Sequence, residues 1–168
     1  MSSISITTVS PDRWQEYKQL RLEALKNDPI AFATTYNEDN VLPNSEWQDR
    51  LHNPYMLFAE HEGILVGMAG ALLYKGQCVE HKATIVSVYI KPEYRGQGIA
   101  TKLMQHLMNC LKSDPKIVHV QLTVNTQNHS AIKLYETVGF KKIGVLEKLV
   151  KVNDAFIDGY MMVHMFDK

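Results

Sequence analysis

A switch of hydrophobic period across a short glycine turn most limits how this chain can fold. Ala83 to Ile90 is rich in β-branched residues and holds few polar side chains. Ile99 to Leu111 instead sets Ile99, Leu103, Leu107 and Leu111 in one row and Ala100, Met104 and Met108 in the next. Between them stands Arg95-Gly96-Gln97-Gly98-Ile99-Ala100-Thr101. The pattern predicts a strand buried on both faces, a tight turn, and a helix with a wide apolar face. A glycine turn that opens a helix aims unpaired N–H groups at one point. The helix dipole adds partial positive charge there, so the turn is a candidate phosphate site.

Spacing narrows the ligand. The dinucleotide pattern G-x-G-x-x-G is absent, since no third glycine follows Gly96 and Gly98 at the right offset, and the P-loop pattern is absent too. What remains, Arg95-x-x-Gly98-x-Ala100, resembles the Q/R-x-x-G-x-G/A signature of the GNAT family of N-acetyltransferases, which grips the pyrophosphate of acetyl-CoA. An ordinary helix start with a flexible turn would have the same look. A second segment, residues 124–140, resembles that family's downstream motif, with Asn128, Ala131, Tyr135, Gly139 and Phe140 in place. The two motifs stand in the family's order.

The rest of the chain reads consistently with that resemblance. Ile4 and Ile6 alternate as a first strand. Ser10-Pro11-Asp12 reads as a helix start, and Trp14, Tyr17, Leu20, Ala24 and Leu25 keep helical spacing until Asp28-Pro29. Residues 28–44 have no clear period and read as loop. Ser45-x-x-Gln48 looks like a capping box on a short second helix. Tyr55 to Ala59 and Ile64 to Tyr74 read as strands joined at Glu62-Gly63. Ile117 to Val124 is a strand, Ser130 to Val138 a helix closed by Gly139, and Phe140 to Val152 pairs with Phe156 to Phe166 around Asn153-Asp154. The order β-α-α-β-β-β-α-β-α-β-β defines an α/β fold with a mixed central sheet. Residues 1–168 are expected to form a single N-acetyltransferase domain. The resemblance further implies that the parallel central strands, 83–90 and 117–124, splay apart and leave strand edges free for the cofactor.

The resemblance also implies the chemistry. Acetyl-CoA is the expected co-substrate, and its acetyl group passes to a primary amine by direct attack through a tetrahedral intermediate. The pyrophosphate falls to Arg95, Gly96, Gln97, Gly98, Ile99, Ala100 and Thr101. The pantetheine arm falls to the strand at Val88, Tyr89 and Ile90, with Asn128 and Ala131 on the facing side. A backbone N–H near Val88 would meet the oxyanion. Tyr135 is the expected catalytic acid beside the sulfur; its plainer reading is a core aromatic against Phe140. Asn128 reads equally as a helix cap. Thr84 to Ile90 holds no carboxylate. Glu80 and His81 are the nearest candidates for a general base, and none is assigned. The acceptor cleft should involve residues 25–40 and 150–160, where Phe32, Tyr36, Glu38, Asp39 and Asp154 stand; acids there would suit a cationic acceptor.

Composition removes other classes. Lys plus Arg equals Asp plus Glu at 18 each, so no basic surplus marks a nucleic-acid surface. The most apolar uncharged stretch, Gly63 to Tyr74, is too short and glycine-broken to span a bilayer. Cys78 and Cys110 form no C-x-x-C pair, and the seven histidines show no metal-binding spacing, so no metal is expected. The N-terminus lacks a signal-peptide pattern, and a cytoplasmic protein is expected. The acceptor is expected to be a small-molecule or peptide amine, and a homodimer is compatible with the resemblance. Two other functions remain open: a non-catalytic acyl-CoA-binding sensor, and a nucleotide-dependent enzyme that uses the turn for another diphosphate.

Overall fold

The computed structural model describes residues 3–168. One sheet of seven strands, in the order β1-β2-β3-β4-β5-β7-β6, organises the chain. Its strands are β1 (Ser5–Thr7), β2 (Met56–His61), β3 (Ile64–Leu73), β4 (Lys82–Ile90), β5 (His119–Asn125), β6 (Lys141–Val152) and β7 (Ala155–Met165). The helices are α1 (Trp14–Asn27), α2 (Tyr36–Asn40), α3 (Asn44–Arg50), α4 (Ile99–Ser113) and α5 (His129–Thr137). All strand pairs are antiparallel except β4 with β5.

Both faces of the sheet are covered, as the apolar β4 sequence requires. The α4 row Leu103, Leu107 and Leu111 packs with Ala69, Ala71, Val120, Leu122, Ile132 and Phe140 in one core. A second core joins Tyr17, Leu20 and Ala24 of α1 and Trp47 of α3 to Phe58, Met68 and Tyr89 of the sheet. In that layer Trp47 and Phe58 both meet the Tyr17 ring edge-on, with centroids 5.4 and 5.5 Å away.

Turn chemistry follows the sequence closely. Glu62 and Gly63 have φ of 49° and 79°, and Asn153 and Asp154 have 48° and 64°, both as a two-residue hairpin turn demands. The end of α5 is a Schellman motif: Gly139 takes φ 97°, its N–H reaches the Glu136 carbonyl at 3.1 Å, and the Phe140 N–H reaches the Tyr135 carbonyl at 2.9 Å.

Residues 28–44 depart from the loop reading. Pro29–Ala31 forms a 3₁₀ turn and Tyr36–Asn40 forms α2, so three helices rather than two separate β1 from β2. The capping box is also elsewhere. Thr35 and Glu38 satisfy each other's backbone N–H at the start of α2, whereas α3 begins at Asn44 after Pro43 with no side-chain cap. α2 is five residues long, too short for an apolar period to show. Its stability comes from the box and from burial of Asp39.

Candidate active site

The parallel pairing of β4 with β5 is brief. Lys82, Ala83 and Thr84 lie opposite His119, Val120 and Gln121, and no register partner joins the two strands beyond Thr84 and Gln121. From there β5 pairs only with β7, through Asn125 opposite Gly159. The expected splay is therefore present. It leaves the inner edge of β4 from Ile85 onward without a neighbouring strand, and such an edge needs a ligand or water to satisfy it.

A bulge in β4 follows the point where it leaves β5. Met68 and Gly70 of β3 pair with Tyr89 and Val86, so two residues of β4, Ser87 and Val88, stand opposite Ala69 alone. Ser87 takes φ 60° inside this strand. Neither Ser87 nor Val88 has a register partner on β3 or β5.

A cavity of about 750 Å³ opens where the strands part. Val88, Tyr89 and Ile90 line it from β4. From the turn and α4 come Arg95, Gly96, Gly98, Ile99, Ala100 and Thr101, and from the α5 side Asn128 and Ala131. Of the residues expected at the cofactor, Gln97 and Tyr135 are not in the lining. Gln97 sends its amide to the Glu93 carbonyl at 3.4 Å. Gly96 and Gly98 take φ of 74° and 75°, a region where side chains cost energy. No side chain caps α4, and its first turn carries no acid. The positive end of that helix is thus uncompensated and faces the cavity.

Arg95 is latched to the cavity wall. Its Nε donates to the Ile90 carbonyl at 2.8 Å, its Nη2 meets Asp28 Oδ2 at 2.7 Å, and its guanidinium lies 5.5 Å from the Tyr89 ring centre. Tyr89 accepts from Asn27 Nδ2 at 2.8 Å and donates to Glu23 Oε1 at 3.0 Å. Burial pushes the Tyr89 phenol up to about 12, with Glu23 adding to the shift and Asn27 opposing it. Asn128 caps α5 by accepting from the Ala131 N–H at 3.2 Å, so its helix-cap reading holds while it also lines the cavity.

Tyr135 sits in the core beneath α5 at 8% exposure, edge-on to Phe140 with centroids 6.1 Å apart. Burial raises its pKa, which keeps the phenol protonated at any working pH. Val88 and Ala131 pack against the same apolar cluster.

The candidate bases lie elsewhere. Glu80 pairs with Lys116 at 3.2 Å just before β4 begins, and His81 uses its carbonyl to hold the start of β5, at the far end of β4 from Val88. Among the described residues the only carboxylate lining the cavity is Asp28, which Arg95 holds. The acids expected to attract a cationic acceptor are likewise engaged. Asp39 is 2% exposed and bound by Arg21 at 2.9 Å, Glu38 caps α2, and Asp154 pairs with Lys151 at 3.0 Å.

One wall falls inside the 25–40 stretch expected at the acceptor cleft, but the sequence does not single out its individual residues, and three on the α5 side are not expected from it at all. Asn27, Asp28, Pro29, Ile30 and Ala31 line the cavity from the end of α1, and Gln127, Ser130 and Lys133 line it from the α5 side. Asp28-Pro29 shows in the sequence only as a helix stop. Buried Asn125 fixes this wall by donating to the Ile30 carbonyl at 3.3 Å. Among the described residues, no group of three His, Cys, Asp or Glu could hold a metal ion, and no helix is long and apolar enough to cross a membrane.

Splayed parallel strands over an uncapped helix start define an acyltransferase-type fold, and comparison with known proteins gives the family. A model of the acetyltransferase (GNAT) family matches residues 14–140, and the chain belongs to that family. It is 32% identical over 132 residues to the N-alpha-acetyltransferase RimI of Mycobacterium tuberculosis, covering 77% of this chain and 79% of that protein. With other curated relatives the shared region is only 34% and 40% of their length. Among solved structures, a GNAT-family acetyltransferase from Streptococcus pneumoniae superposes with TM-score 0.88 at 22% identity, covering 98% of this chain and all (100%) of that one. The yncA protein of Salmonella typhimurium, solved with its cofactor acetyl-CoA, gives TM-score 0.82 at 17% identity over 99% of this chain and 96% of that one.

Proposed function

We propose that this protein moves the acetyl group of acetyl-CoA to a primary amine, and that the amine is the N-terminal amine of a peptide or protein. One observation carries the first part. The uncapped start of α4 and the unpaired edge of β4 border the same cavity, about 750 Å³ in volume. A diphosphate at the N–H groups of Gly98, Ile99, Ala100 and Thr101 would meet donors with no other partner. The two amides of a pantetheine arm would then run along Val88 and Ile90 as a missing strand would. The choice of acceptor follows from the likeness to the RimI N-alpha-acetyltransferase.

The chain's own groups then have distinct tasks. The turn and α4 hold the diphosphate. The Val88 N–H, at a bulge position without a register partner on β3, meets the negative charge that grows on the thioester oxygen, a contact worth roughly 3 kcal/mol. Tyr135, kept protonated by burial in the apolar cluster against which Val88 and Ala131 of the lining pack, would deliver a proton to the departing thiolate. With Asp28 engaged and no histidine in the lining, the amine arrives neutral or passes its proton to water.

Two assays test this reading. Calorimetry should register acetyl-CoA binding that coenzyme A competes for and NAD and ATP do not. Thiol release should be faster with peptides carrying a free N-terminus than with the same peptides blocked at the N-terminus and offering only lysine. Binding without turnover on any amine would favour an acyl-CoA sensor, and absence of binding would refute the proposal.

A further inference from the structure

Five residues other than glycine have positive φ, among the described residues: Glu62, Ser87, Lys148, Asn153 and Asp154. Three of them occupy hairpin turns, and Lys148 lies in the irregular stretch of β6 between Leu146 and Val150. Ser87 alone lies in a central strand. Serine has no special tolerance for this region, so the surrounding structure must impose it. The restraint comes from α1. Arg21, 8% exposed, sends Nη1 to Ser87 Oγ at 3.0 Å. Its Nη2 donates to Thr34 Oγ1 at 3.0 Å and its Nε to Asp39 Oδ2 at 2.9 Å. Phe32 stacks against the guanidinium at 4.7 Å. One planar cation thus joins the bend in β4 to the 32–39 segment that borders the expected acceptor side.

We infer that Arg21 is a positioning residue for acetyl transfer: through Ser87 it holds the left-handed bend of β4, and the bend turns the Val88 N–H off the β3 ladder toward the cavity. The inference rests on the proposed role of Val88 at the thioester oxygen. The guanidinium is suited to this task because its fork reaches three acceptors on two segments at once. A lysine ammonium is a single point and cannot span them. Asp39, also 3.7 Å from Arg50, supplies the countercharge that lets the cation stay buried.

Three variants test it: Arg21→Lys, Ser87→Ala, and Arg21→Lys combined with Ser87→Gly. Activity is read as thiol release from acetyl-CoA with an alanine-initiated peptide, coenzyme A affinity by calorimetry, and hydrogen exchange over residues 85–90 in the ligand-free protein. Arg21→Lys should lower kcat by about 10- to 100-fold, leave coenzyme A affinity within about threefold, and speed exchange over 85–90. Ser87→Ala, which leaves Arg21 and Asp39 paired, should lower kcat in the same direction and serves if Arg21→Lys proves too unstable to assay. Glycine adopts the left-handed conformation unaided, so adding Ser87→Gly should restore most of the lost kcat and slow the exchange. A purely structural Arg21–Asp39 pair would not respond to Ser87→Gly. Unchanged kcat in both single variants, or no restoration by glycine, overturns the inference. If the wild type binds coenzyme A but never turns over, the acetyl-transfer reading fails. The exchange arm then still decides whether Arg21 holds the bend, and unchanged exchange in Arg21→Lys overturns that too.

Discussion

Replacing Gly98 by alanine separates the backbone geometry of the turn from its mere flexibility. Gly98 takes φ 75° and lines the cavity, and an added Cβ would meet nothing within 4 Å. The cost is therefore conformational and not steric, about 1–2 kcal/mol for a left-handed alanine. For a chain of this size that lowers the melting midpoint by about 2–8 °C. If the turn relieves the strain by leaving the left-handed region, the N–H groups at the start of α4 no longer converge. Acetyl-CoA affinity should then weaken about tenfold or more, that is by about 1.4 kcal/mol. Gly63 offers a matched control. It has φ 79° and equally open space, but sits in the β2–β3 turn outside the cavity lining. Gly63→Ala should lower the melting midpoint similarly and leave affinity unchanged. Calorimetric titration with acetyl-CoA beside thermal melts reads both effects. If Gly98→Ala melts lower but binds acetyl-CoA as tightly as the wild type, the convergence of those amides is not what holds the diphosphate.

Tyr135→Phe should lower kcat by about 100-fold or more with little change in melting midpoint, since the hydroxyl has no hydrogen-bond partner among the described residues; a rate within twofold of the wild type would take Tyr135 out of the chemistry. In Gly159→Ala the new Cβ would overlap Leu149 Cδ2 and stand 3.0 Å from the Val124 carbonyl, so stability should fall by about 1–3 kcal/mol in a denaturant titration, and an unchanged midpoint would count against that close packing. The Tyr89 phenol titrates higher in the folded chain than in the unfolded one, so its contribution to stability is complete below about pH 10 and is lost as pH rises toward 12. Tyr89→Phe should therefore flatten the fall in melting midpoint across that interval, and an unchanged slope would count against the burial argument.

Local sequence determined much of this protein. The period-two and helical patterns placed most strands and helices within a few residues. Glycine at 96, 98 and 139 marked three left-handed positions, because only that residue enters the region without cost. The phosphate turn and the start of its helix were legible because all their parts lie within seven consecutive residues, 95–101. α2 was hidden by its shortness, and its capping box at Thr35 and Glu38 passed unnoticed in a stretch without period. Tertiary structure alone decided where β4 leaves β5, because register depends on which residues meet across strands far apart in the chain. It also decided which residues of the 25–40 stretch face the cavity, and the reach of Arg21 to Ser87, 66 positions away. A hydrophobic pattern states which face of an element avoids water, but not which polar atom from another segment will end beside it. That choice follows from the packing of two helical layers on one twisted sheet, and the geometry proposed for catalysis is set there.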